Sequence, residues 1–115
     1  ELQSALDAFV AAVSRQETAA ASFAPGNLFS YVFFLSDLKN GWKAHFALDF
    51  PDAKTPLFTS SLYGSPFIDE AGAEVPVRFG FSGGFIDVLL YFEKDGETYP
   101  INNIEIRKWE RVNGK

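Results

Sequence analysis

The chain has no cysteine, no methionine and one histidine among its 115 residues. Without cysteine there is no disulfide framework, no thiolate nucleophile and no cysteine-based zinc or iron–sulfur site. One histidine and scattered carboxylates supply none of the ligand spacings of zinc sites or EF-hand loops, so neither a metal nor a cofactor is expected. No apolar run reaches the ~18 residues of a membrane span, the longest being the strand-length run 28–35. Position 1 is Glu rather than Met, which reads as an end left by processing or trimming and is consistent with a removed signal or anchor segment and an exported or cell-envelope protein. The net charge of −5 argues against nucleic acid as a partner, because neutralising phosphates takes clustered Lys and Arg.

The motifs of catalysis are also missing. Gly80, Gly83 and Gly84 lack the lysine and following helix of a phosphate loop, there is no G-x-S-x-G turn, and Ser60-Ser61 has no base in view. His45 as a general base needs an orienting carboxylate. If residues 42–50 form a strand, Asp49 lies on the same face but about 13 Å along it, and Asp37 falls on the other face. No catalytic residue is therefore assigned, and His45 with Asp49 stand only as a secondary polar site.

Aromatic residues are abundant. Thirteen Phe, four Tyr and two Trp exceed what a two-layer domain of this size needs for its core, which points to a pocket or a binding surface. Charge is uneven as well: residues 49–97 are rich in Asp and Glu, and the tail 105–115 carries Arg107, Lys108, Arg111 and Lys115. An acidic face presented to a basic partner is one reading of that asymmetry, and simple solubility is the other.

Leu2, Leu6, Phe9, Val10 and Val13 recur at helical spacing, predicting a helix over 2–16 that the Ala-rich stretch extends to about 20, stopped by Pro25-Gly26. Alternation from Trp42 to Phe50 and the Asn40-Gly41 pair predict a hairpin of strands 28–38 and 42–50. Residues 57–63 read as a short edge strand, a place for homodimer contact. Residues 67–81 read as a hairpin around 69–72 with Gly72 left-handed, and Pro76 marks an edge or bulge. Residues 85–107 fold into a hairpin with Asp95-Gly96 as a two-residue turn, Phe92 facing Tyr99 and Leu90 facing Ile101. A bulge at Asn102-Asn103 then keeps Ile104 opposite Val88 and Ile106 opposite Ile86.

The expected fold is a single α+β domain, 1–115, with an N-terminal helix on a curved antiparallel sheet of about six strands spanning 28–110. A β-sandwich or small barrel with an added helix is the competing architecture. The expected core is Leu6, Phe9, Val10, Val13, Phe33, Leu35, Phe46, Leu48, Val88, Leu90, Phe92, Ile101, Ile104 and Ile106. On the second face of the last hairpin, Phe85, Leu89, Tyr91 and Trp109 gather with Arg107 opposite Phe85 in cation–π reach, a mixture typical of interface hot spots. If the helix or another layer covers that face, the same residues are only core.

The run 6–13 followed by Phe23-Ala24-Pro25 resembles the opening of small NTF2-like or cystatin-like domains, and residues 96–101 and 104–109 are similar to their terminal strands. The resemblance implies a helix in the concave side of a curved antiparallel sheet. The further helices of a full NTF2-like cone are not seen between Pro25 and residue 28, nor is the Asp/His set of that fold's enzymes apart from His45. The expected function is a non-catalytic domain recognising a protein or small apolar ligand, in one version an acidic inhibitor or immunity-like protein. The alternative is an NTF2-like enzyme or carrier with an apolar pocket.

Overall fold

In a computed structural model that describes residues 2–14, 28–50, 59–97 and 99–112, the chain folds as α+β. The elements are α1 (Leu2–Ser14), α2 (Leu28–Phe46), β1 (Thr59–Leu62), β2 (Phe67–Ile68), β3 (Gly72–Phe81), β4 (Gly84–Glu93) and β5 (Ile101–Arg111). The five described strands make one open antiparallel sheet in the order β1-β3-β4-β5, with β2 also paired to β3. Both helices pack on one face of it. Residues 15–20, the expected extension of the first helix, and 57–58, the start of the expected edge strand, lie outside the described residues. No helix among the described residues is long and apolar enough to cross a membrane.

The principal correction is α2, because residues 28–46 form a helix rather than a hairpin. Phe34, Leu38, Trp42 and Phe46 are buried and four apart. Positions spaced by four are all even, so they satisfy a strand's alternation and a helix's stripe equally well. The odd members decide between the two: Leu35 is buried beside this stripe, whereas Phe33 is 64% exposed. Leu48, beyond the helix, is exposed too, so Phe33 and Leu48 leave the expected core while Phe34, Leu38, Trp42, Val75, Val77, Phe79 and Ile86 join it.

Gly41 is thus a mid-helix glycine, which costs roughly 1 kcal/mol against Ala. Its reason is packing: a Cβ there would stand 3.0 Å from the Trp109 indole of β5.

Rings fasten the two layers together. Phe9 of α1 meets Phe34 of α2 at 6.0 Å and Phe79 of β3 at 6.1 Å. Trp42 is surrounded by Phe46, Phe50 and Phe81 at 4.9, 5.2 and 4.5 Å between centroids. Offset and edge-on pairs of this kind add to the area they bury.

The hairpins keep their partners but change their details. Asp69 closes the β2–β3 turn with its carboxylate, which accepts from the N–H groups of Ala71 (2.8 Å) and Gly72 (3.1 Å). Gly72 is not left-handed. It is glycine because a Cβ would sit 1.9 Å from the Phe92 carbonyl oxygen of β4. Between β4 and β5 the connection runs from Lys94 to Pro100 instead of a two-residue turn, and among its described residues only Gly96 has positive φ (63°). Phe92 therefore faces Ile101, Leu90 faces Ile104 and Val88 faces Ile106. The bulge at Asn102 stands where expected, and a second one at Arg107 was not foreseen.

Pro76 lies inside β3, a strand flanked on both sides. Its carbonyl accepts from Tyr63 N–H at 3.2 Å. The nitrogen of the same residue points the same way, so the missing donor faces the break between β1 and β2 and costs the β3–β4 ladder nothing.

Helix α2 ends on Ala47, whose φ is +58° and whose N–H donates to the Lys43 carbonyl at 2.8 Å. This is the position at which helices favour glycine, because a Cβ there crowds the carbonyl. Ala47→Gly is expected to stabilise the fold by about 0.5–1 kcal/mol, net of glycine's extra unfolded-state entropy. Thermal and urea denaturation will read it as a rise of a few degrees in Tm with an unchanged m-value.

Candidate functional site

Alternation along β4 sends Ile86, Val88, Leu90 and Phe92 into the helix-covered core and Phe85, Asp87, Leu89 and Tyr91 to the other face. Register adds Arg78 opposite Asp87, Gly80 opposite Phe85 and Glu74 opposite Tyr91 from β3, and Glu105, Lys108 and Glu110 from β5. Among the described residues no helix lies on this outer face. Phe85, Leu89 and Tyr91 are half-buried there by their neighbours in the sheet.

Among the described residues Asp87 is the one charged group that is buried, at 4% exposure. Arg78 meets it with two parallel bonds: Nε donates to Oδ1 at 2.7 Å and the terminal nitrogen to Oδ2 at 2.9 Å. A fork of this type is the strongest ordinary form of ion pair. The guanidinium also lies 3.8 Å from the Phe85 ring centroid and 5.9 Å from that of Tyr63. Gly80 presents no side chain across from Phe85, so the ring's neighbour is the diagonal Arg78. The bond to Asp87 raises the Arg78 pKa further, and loss of water raises that of Tyr63.

A second polar group adjoins it. Tyr91 Oη donates to Glu105 Oε1 at 3.1 Å, and Arg107 donates to the same oxygen at 2.8 Å. The Arg107 bond first, and the Tyr91 bond second, hold the Glu105 carboxyl below its usual 4.5. Tyr91 is shifted upward, chiefly by desolvation.

Of the residues proposed from sequence, Phe85, Leu89, Tyr91 and Arg107 come together on this face. Arg107 is not opposite Phe85, which faces Glu110. The cations near that ring are Arg78 and, at 5.8 Å, Lys108. Trp109 is on the other side of the sheet. The Arg107 bulge adds one residue, which reverses the alternation so that Trp109 pairs with Ile86 and faces the helices. There it stacks on His45, with ring centroids 4.5 Å apart and planes 7° from parallel, and touches Phe46 at 5.5 Å.

His45 and Asp49 are not brought together as a polar site. His45 belongs to the last turn of α2, and Asp49, beyond the helix, lies 3.9 Å from Lys43 with its side chain 98% exposed. Among the described residues no three of His, Asp and Glu converge as a metal site requires. Arg78, Asp87 and Tyr63 were missed in the sequence. Arg78 and Asp87 are equidistant from Ser82-Gly83, and centring the turn there places them opposite each other.

Comparison with protein-family models, with curated proteins and with solved structures finds no match to this chain.

Two outcomes follow from the pairing. Arg78→Met is expected to lower Tm more than Asp87→Asn, because it strands a buried carboxylate whereas the amide keeps a neutral acceptor. The double variant should fall short of the sum in a thermal-denaturation cycle. For pH, a folded pKa lowered below 4.5 means that Glu105 stabilises fully above its unfolded value and loses this contribution as pH falls through the folded one. Urea midpoints at about pH 6 and about pH 3 should therefore differ less in Glu105→Gln than in the parent chain.

Proposed function

We propose that the chain is a non-catalytic recognition domain that binds another protein through the outer face of its sheet. The observation that carries the reading is the composition of that face: Tyr63, Phe85, Leu89 and Tyr91 around an arginine fixed in place by Asp87. Tyr and Arg are the residues most enriched at binding hot spots, and a side chain already held by neighbours loses little freedom on binding. The face also carries both signs of charge, Arg78, Arg107 and Lys108 against Glu74, Asp87, Glu105 and Glu110. Apolar contact rather than charge steering would then set affinity.

The acidic-inhibitor version has its own support at one end of the molecule. The Lys94 N–H donates to the Ala71 carbonyl at 2.8 Å, tying the β2–β3 turn to the β4–β5 connection. That tie brings the two acidic loops, Asp69-Glu70 and Glu93 with Asp95 and Glu97, to the same end of the sheet. Exposed Phe67 and Ile68 flank them.

Against a carrier with an apolar cone stands the filling of the space between the layers by Phe9, Trp42, Phe46 and Phe79, all fully buried.

The test is a pull-down from the native source with the parent chain, Leu89→Lys and Tyr91→Ala, at low and high salt. Retention that survives salt and is lost in both variants is the expected result. Retention of a basic protein that salt abolishes and the variants leave intact would transfer the function to the acidic end.

A further inference from the structure

The carboxylates on the outer face of the sheet fall into two groups. Asp87 is paired with Arg78 at 2.7 Å, Glu105 with Arg107 at 2.8 Å and Glu110 with Lys108 at 3.5 Å. Glu74 and Glu93 take part in none of the ion pairs among the described residues, and neither does Lys94, the next cation in the chain. Both carboxylates lie at the end of the face where the β2–β3 turn meets the β4–β5 connection.

Register builds an open cavity around them. Phe67 of β2 pairs with Glu74 of β3, which pairs with Tyr91 of β4. A phenyl ring, a carboxylate and a phenol therefore stand in one row across three strands, all on the outer face. Phe67, in a strand of two residues, is 61% exposed, and Tyr91 is held by the bond from its hydroxyl to Glu105. Gly72 and Glu93, the next pair on the same face, join Asp69 in lining the rest of the cavity, whose volume is about 470 Å³. That size is within the range of ligand pockets.

Spacing and charge select what can enter. Adjacent strands lie about 4.8 Å apart, so the two rings rise about 10 Å apart with Glu74 between them, and a cation midway is within the ~6 Å reach of both. An apolar group would strip water from Glu74 and Glu93 and return no partner, and an anion would be repelled. A planar guanidinium suits every wall, because its faces meet the rings and its edge forks onto a carboxylate. Arg78, Arg107 and Lys108 are committed to other carboxylates and leave the position to an incoming group.

We propose that this cavity receives an arginine side chain of the partner protein, seated between Phe67 and Tyr91 and paired with Glu74. The inference rests on the outer face being the docking surface and adds the chemistry that the partner presents there.

Heteronuclear NMR of the labelled chain tests the cavity without the partner, using acetyl-Gly-Arg-Gly-amide, whose only charge is the guanidinium. Shifts confined to residues 67–74 and 91–93 are expected, saturating with a Kd in the tens of millimolar, as two exposed cation–π contacts and one ion pair would give. The citrulline counterpart, in which a neutral urea replaces the guanidinium, should shift none of them. Phe67→Ala and Glu74→Gln, both at exposed positions, should each weaken the arginine probe about threefold. No shift at about 200 mM probe overturns the proposal, as do equal shifts from the citrulline peptide, shifts centred on Glu105 or Glu110, or indifference to both substitutions. Any of these leaves the docking reading to its own pull-down. In that pull-down Glu74→Gln should retain less partner than the parent chain, and equal retention overturns the arginine while the docking reading stands. A pull-down that captures nothing removes both, even where the probe binds.

Discussion

The stacking of aromatic rings between α2 and the sheet is the constraint from which the rest of the structure follows. Trp42, Phe46 and Phe81 interlock within 5 Å of one another, and Phe9 joins α1 to both α2 and β3. Rings of this size fix the distance between the layers and leave one direction for each strand residue to point. Once Ile86, Val88, Leu90 and Phe92 are committed to the rings, Phe85, Asp87, Leu89 and Tyr91 have only the outer face. Among the described residues the aromatic side chains therefore divide in two, with the larger share welding the layers and a smaller share standing outside.

Among the described residues the outer face is ordered by charge rather than by a covering layer. A carboxylate buried in a sheet is costly to leave unpaired, and the two-pronged bond from Arg78 answers that cost while fixing the guanidinium over Phe85. Glu105 performs the converse task, with one oxygen serving both Tyr91 and Arg107. Both arginines on the face are positioned before any partner arrives. Folding has already met part of the entropy of ordering these side chains.

How much of this was legible in the sequence depended on whether a pattern had one structural meaning. Strict alternation in 86–92 has one, and from it came the buried face of β4, the half-exposed set of Phe85, Leu89 and Tyr91, and the bulge at Asn102. The 69–72 turn and the edge strand near 59–62 were legible for the same reason. Spacing by four has two meanings, and residues 34–46 were misread because Asn40-Gly41 looked like a turn, whereas Gly41 is small in order to admit Trp109. The Arg107 bulge left no mark in side-chain pattern, so Trp109 was placed on the wrong face. Asp87 passed for an ordinary surface acid because its partner lies on the neighbouring strand, and only the register of the β3–β4 turn reveals the pair.

The two bulges of β5 also give the strand a latitude that its neighbours lack. In a regular strand, losing one residue moves every later side chain to the other side, and loops are the places where length varies without harm. In β5 the extra residue at Arg107 stands outside that count, since Ile106 and Lys108 already face the consecutive residues Val88 and Asp87 of β4. Deleting a single codon there would leave Lys108 on the outer face and the indole against the helices, whereas the same loss in the middle of β4 would turn the later side chains of that strand over. Strand length therefore carries the memory of which side is inside in β3 and β4, while β5 holds a residue to spare at each bulge.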